Sequence, residues 1–163
     1  MIFVTVGTHE QPFNRLVEYM DEWAGQHKEK VIIQTGFSTS EPRNCKWRKL
    51  FTFQEMQKGV EKARVVITHG GPSSFIMPLQ IGKVPVVVPR KKEFEEHVND
   101  HQVDFCHQVA ERQKNIIVID NINDLGDVLE NYDEIVKTMT NGLESNNEQF
   151  CSEFEKIVNE LVK

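Results

Sequence analysis

The sequence predicts an α/β fold: a mainly parallel sheet with helices on both faces. Two observations carry this. Short β-branched apolar runs alternate with longer stretches whose apolar residues recur at helical spacing. At least two of the runs end in glycine turns that lead directly into a helix start, the junction typical of parallel strands. The chain has 163 residues, enough for one domain with a proper core.

Ile2 to Val6 reads as the first, central strand. Gly7-Thr8-His9-Glu10-Gln11-Pro12 is its turn, and Phe13, Leu16, Val17 and Met20 continue at helical spacing. Val31 to Thr35 is the second strand, ended by Gly36. Residues 37 to 49 are polar and gather Arg43, Lys46, Arg48 and Lys49 around Trp47, a cluster suited to solvent, a phosphate, an anionic membrane or an acidic partner. Leu50 to Phe53 is expected as a short third strand and Gln54 to Ala63 as a helix with Met56, Val60 and Ala63 on its apolar face.

Val65 to Thr68 is a buried strand, and His69-Gly70-Gly71 a tight turn for which glycine is expected because of positive φ. Pro72, Ser73 and Ser74 are helix-start residues, the serines expected to satisfy free N–H groups; Pro78 suggests a kink or a short helix. Val84 to Val88 is the next strand, left by the basic loop Pro89-Arg90-Lys91-Lys92. A helix is expected from about His97, a last strand over Asn115 to Ile119, and a C-terminal amphipathic helix with Phe150, Phe154, Ile157, Val158, Leu161 and Val162 on one stripe. That stripe is expected either to pack on the domain's own sheet or to dock on a partner.

Composition narrows function. Hydrophobic residues are 39% and charged residues 27%, ordinary for a globular protein, and the net charge of -6 argues against general nucleic-acid binding. No apolar run is long enough for a membrane span and no leader pattern opens the chain, so a cytoplasmic protein is expected. Three scattered cysteines, Cys45, Cys106 and Cys151, fit free thiols in a reducing compartment.

A strand, a glycine turn and a helix N-terminus together form an anion site, since free N–H groups and the helix dipole meet there. Neither G-x-G-x-x-G nor G-x-x-x-x-G-K-[ST] occurs, nor any Asp-x-Asp, so dinucleotide, P-loop and manganese-clamped diphosphate sites lack their signatures. His97 and His101 have zinc-like spacing without the H-E-x-x-H glutamate, and no metal is expected. A diphosphate leaving group then needs backbone N–H groups and cations: Gly7, Thr8, Gly70, Gly71, Ser73, Ser74 and Arg90 are the candidates. Asp100 and Gln102 suit sugar hydroxyls, and His9, Glu10 and His69 are candidate bases, unless a partner supplies the base. Valine at Gly71 is expected to block backbone approach to the diphosphate while leaving the fold largely intact. The combination points to a nucleotide-diphospho-sugar.

Three stretches carry a family resemblance: residues 1–13, MIFVTVGTHEQPF; residues 68–74, THGGPSS; and VVPR at 87–90 with EHVNDHQ at 96–102. They resemble the small bacterial capsule and exopolysaccharide glycosyltransferase subunits, which belong with the C-terminal domains of GT-B glycosyltransferases. They are also similar to the catalytic subunit of the two-part eukaryotic enzyme that adds the second N-acetylglucosamine to dolichol-diphosphate. The resemblance implies a single Rossmann-like GT-B half that binds a UDP-sugar donor as co-substrate, with no resident cofactor. It implies a membrane-associated companion subunit holding a lipid-linked acceptor, so that the chain sits at the inner membrane face through that partner; the C-terminal stripe leaves a second copy of this chain as the other candidate partner. The family's glycine loop falls on His69 to Ser74 and its sugar-reading pair on Asp100 and Gln102. Where related domains carry a ribose-holding glutamate this chain has Met77. A non-catalytic nucleotide-sugar-binding module is the alternative; a two-domain epimerase is disfavoured by length.

Overall fold

A computed structural model describes residues 1–139. The C-terminal stripe from Phe150 to Val162, and Cys151, lie outside the described residues. Six strands form one sheet: β1 (Ile2–Thr5), β2 (Val31–Gln34), β3 (Lys46–Arg48), β4 (Val65–His69), β5 (Val86–Val88) and β6 (Ile117–Val118). Their order is β3-β2-β1-β4-β5-β6, and every neighbouring pair is parallel. The helices are α1 (Asn14–Gln26), α2 (Phe53–Lys62), α3 (Pro72–Gln80), α4 (His101–Gln113), α5 (Leu125–Glu130) and α6 (Tyr132–Met139).

The strand period of two divides the core between the faces. Ile2, Val4, Val65, Ile67, Val86 and Val88 pack with Leu16 and Met20 of α1, Leu129 of α5 and Tyr132 of α6. On the opposite face Phe3 and Val66 meet Val60 of α2, while Val87 meets Phe75 of α3 and Val109 of α4. The order in which strands are added reverses between β1 and β4, which makes the carboxyl ends of these two parallel strands the switch point where open α/β sheets place ligands.

Four local expectations are corrected. The third strand is Lys46–Arg48, not Leu50–Phe53. Trp47 alternates inward against the core while Lys46 and Arg48 stay exposed, a charged edge strand that resists edge-to-edge pairing. Phe53 instead opens α2, because Thr52 and Glu55 form a reciprocal capping box: the Thr52 hydroxyl accepts from Glu55 N at 3.1 Å and the Glu55 carboxylate from Thr52 N at 3.2 Å. The fourth helix begins at His101, not His97: a short 3₁₀ turn over Lys92–Phe94 and left-handed Glu95 (φ 57°) keep residues 95–100 irregular. The last strand is only Ile117–Val118. Pro78 lies inside α3, which runs just two residues beyond it.

One ammonium closes a helix end. Lys83 Nζ donates to the carbonyls of Val60, Glu61 and Ala63 at 2.7, 2.7 and 2.6 Å, satisfying the carboxyl terminus of α2.

Candidate functional site

The turn after β4 is built around one imidazole. His69 is 7% exposed. Its Nδ1 accepts from Gly71 N at 3.1 Å and its Nε2 lies 2.9 Å from Ser74 Oγ. Gly70 and Gly71 are not among the described glycines with positive φ, which are Gly7, Gly36 and Gly82. The turn requires glycine for a different reason. A Cβ at Gly71, or at Gly7 across the crevice, would collide with the His69 ring, and one at Gly70 would come within 3.0 Å of Gln102 and of Cys106 Sγ. His69 is therefore the wedge that joins the β1 and β4 loops, and a side chain at Gly71 crowds that ring as well as the approach to the turn.

Burial first, and then the positive charge of Arg90, push the His69 pKa down to about 3, so the ring is neutral. With Nδ1 accepting a backbone N–H, the proton sits on Nε2 and points to the Ser74 hydroxyl. Neither ring nitrogen is then left to take a proton. Ser74 is thus spent on His69 and no side chain caps α3; with Pro72 lacking an N–H and Ser74 N donating to Gly71 O at 3.1 Å, the Ser73 N–H is the donor of the first turn left open to an anion. Ser73 is exposed in that turn.

His9, half-buried in the β1 loop, repeats the device: its Nδ1 accepts from Gln11 N at 3.2 Å. Its ring stacks on His97 with centroids 4.7 Å apart, and His97 Nδ1 takes Asn99 N at 3.4 Å. Burial, followed by the charges of Arg90 and His97, lowers the His9 pKa, so it too is held neutral. Thr8 and Glu10 are exposed on the same loop, and Glu10 is the candidate base with no hydrogen bond among the described residues.

Arg90 differs most from expectation. It is fully buried, and its guanidinium donates to the carbonyls of Val6 (2.6 Å), Gln11 (2.7 Å) and Glu96 (3.1 Å) while lying 5.0 Å above the Phe13 ring. A planar fork fits such converging carbonyls, and no part of it is left exposed for a phosphate. Arg90 braces the loops instead. Glu96, 2% exposed, completes the brace: its carboxylate accepts from Arg15 Nε and Nη2, both at 3.0 Å, and from Lys91 N at 3.1 Å.

Asp100 and Gln102 meet different fates. Gln102 lies against Gly70, its Oε1 accepting from Arg90 N at 3.1 Å, and its side chain also hydrogen-bonds the His69 ring. Asp100 is exposed at the start of α4, and its Oδ1 accepts from Lys92 N at 2.9 Å. Sequence reasoning assigned no role to Arg15 or Glu96 and weighed His97 only as a zinc ligand. The last two sit inside the motif that carried the resemblance; Arg15 gives no local signal at all. A cleft of about 400 Å³ between α2 and α3 adjoins the turn, lined by Ser73, Phe53, Gln57 and Met77 among others. Among the described residues no cluster of metal-binding side chains occurs, and no helix is long and apolar enough to cross a membrane.

Comparison with known proteins agrees with this architecture. The family model described as the glycosyltransferase family 28 C-terminal domain matches residues 1–161. No curated protein sequence matches the chain. Among solved structures, the glycotransferase of kitacinnamycin superposes with a TM-score of 0.62 at 17% identity, covering 95% of this chain and 39% of that one. The glycosyltransferase SnogD from Streptomyces nogalater superposes with a TM-score of 0.58 at 13% identity, covering 97% of this chain and 42% of its own. The chain thus spans about two fifths of each of these proteins, with the Rossmann-like fold of a GT-B C-terminal half.

Proposed function

The chain belongs to the glycosyltransferase family 28 C-terminal domains, and from that premise we propose that it is the donor-binding subunit of a split GT-B glycosyltransferase. In this reading it moves a sugar from a UDP-sugar to a lipid-linked saccharide acceptor in capsule or exopolysaccharide synthesis. The observation that carries the reading is the uncapped N-terminus of α3 at the switch point, with Gln102 packed against Gly70 beside it. The Ser73 N–H and the dipole of α3 meet the diphosphate and stabilise the charge that grows as the sugar leaves. The nucleoside lies along the α2–α3 cleft next to Ser73, where Met77 offers an apolar surface in place of a carboxylate. Gln102 and Asp100 read the sugar.

The companion subunit closes the crevice and holds the acceptor, because an open half-cleft leaves the reacting carbon in water. Through it a cytoplasmic chain is held at the inner membrane face. A second reading has its own observation: the Nδ1 atoms of His9 and His69 are both taken by backbone N–H groups. On that reading the chain is a binding module that presents the donor, and the base comes from the companion; on the first, Glu10 is the chain's own candidate.

Calorimetry with UDP and with a panel of UDP-sugars, alongside transfer by the reconstituted pair, tests the assignment. Asp100→Ala and Gln102→Ala are expected to lower sugar transfer while UDP affinity is kept. Equal losses in both would remove these residues as sugar readers. Transfer that survives Asp100→Ala and Glu10→Gln with the complex intact favours the module.

A further inference from the structure

Two imidazoles from different loops meet at the switch point. His9 stands in the loop after β1 and His97 in the loop after β5, and their rings stack with centroids 4.7 Å and planes 29° apart. Both use the same nitrogen on their own backbone. Nδ1 of His9 accepts from Gln11 N at 3.2 Å and Nδ1 of His97 from Asn99 N at 3.4 Å, in each case the N–H two residues on. A ring nitrogen that accepts carries no proton, so both rings are neutral and both protons sit on Nε2. Neither of these Nε2 atoms has a hydrogen-bond partner among the described residues, whereas Nε2 of His69 is engaged by Ser74 at 2.9 Å.

The pair lies beside the β4 turn. Burial and then Arg90 do most to lower the His69 pKa, but His9 and His97 contribute as well, which requires both rings to be close to it. The other side chains there are largely committed. The Arg90 guanidinium is sealed among carbonyls, and Gln102 is held by Arg90 N and by His69. Asp100 gives one oxygen to Lys92 N. Glu96 is answered by Arg15. Glu10, close enough to raise the His9 pKa against burial, is a carboxylate with no hydrogen bond among the described residues. What this side of the crevice offers is therefore two neutral N–H donors with carboxylate acceptors beside them.

We propose that His9 and His97 read the transferred sugar, donating their Nε2–H groups to its hydroxyl oxygens. The inference rests on the nucleotide-sugar reading and deepens it. A hydroxyl both donates and accepts, so it uses the neutral N–H groups together with the free oxygens of Glu10 and Asp100. A phosphate is the poorer occupant, because the rings bring no charge to it and Glu10 repels it. His9 is not the base in this arrangement, since Nε2 already holds its proton and Nδ1 is taken. The stack also ties the β1 loop to the β5 loop, so the two donors keep a fixed spacing that suits a rigid sugar ring.

The test compares UDP with UDP-glucose, UDP-galactose and UDP-N-acetylglucosamine by calorimetry on the full chain. His9→Asn/His97→Asn keeps an acceptor for each backbone N–H two residues on and removes both Nε2–H groups. In that variant the affinity for the best-bound UDP-sugar, taken relative to UDP, is expected to fall about tenfold or more while UDP affinity is kept. Imidazole ¹⁵N spectra of the wild type are expected to show Nε2 of both rings shifting with that UDP-sugar and staying in place with UDP. An unchanged affinity ratio overturns the inference and leaves the transfer reading standing. Equal loss of UDP and UDP-sugar affinity also overturns it, and assigns the pair to the diphosphate. Nε2 resonances that do not move at saturation overturn it whether or not the variant folds. A wild type that binds neither UDP nor any of the three UDP-sugars removes the nucleotide-sugar reading and this inference with it.

Discussion

Glu96 grips Arg15 across 81 positions of sequence, one carboxylate spanning Nε and Nη2 at 3.0 Å each. The pair ties the loop after β5 to the first turn of α1, and that loop carries His97 and Asp100 and leads into Gln102 at the start of α4. With Glu96 2% exposed, removing one partner strands a buried charge. Arg15→Ala or Glu96→Ala is expected to cost about 3 kcal/mol, and the double variant less than the sum of the two. Urea unfolding of all four proteins measures the coupling; strict additivity would mean that the pair is only a contact.

His69 gives a pH dependence whose sign follows from its burial. Its pKa falls from 6.5 to about 3 on folding. Below pH 6.5 the unfolded chain takes up a proton that the folded one refuses, so the stability tied to this residue is complete above that value and is lost as pH drops toward 3. His69→Asn keeps an acceptor for Gly71 N–H and removes the titration. Its urea midpoint is expected to vary less with pH than that of the wild type across this window. An unchanged slope would assign the acid sensitivity elsewhere.

Gly71→Ala is expected to lower both stability, by about 1–3 kcal/mol through overpacking, and UDP affinity. The cause is the His69 ring, which occupies the space a Cβ would need. A combined Gly71→Ala/His69→Ala variant relieves the collision. If the double variant is no more stable than Gly71→Ala alone, the collision is not what selects glycine.

UDP binding measured by calorimetry is expected to be unchanged by EDTA, since the proposed diphosphate site is a helix N-terminus rather than a carboxylate clamp. A strict requirement for magnesium would redraw that site.

Lys83→Met is expected to destabilise the fold by about 2 kcal/mol without altering UDP affinity, because three carbonyls at the end of α2 lose a charged donor. Thermal melts and calorimetry on one preparation separate the two effects.

The sequence by itself determined the fold class, the succession of strands and the identity of the critical turn. These rest on local pattern: the β-branched runs from Ile2 and Val65, the helical spacing of Leu16, Val17 and Met20, and the glycines after His69. The tertiary structure decided what the polar groups do. Arg90 reads from sequence as a cation free for phosphate, yet parallel pairing of β1, β4 and β5 brings the carbonyls of Val6 and Gln11 to its guanidinium and buries it. Gly71 reads as a positive-φ glycine, yet a histidine folded back into its own turn is what excludes the Cβ. Arg15 carries no sign of Glu96. Periodicity is a property of neighbours along the chain, whereas the partner of a charge is whatever the topology sets against it, and that choice is made only when the strands assemble.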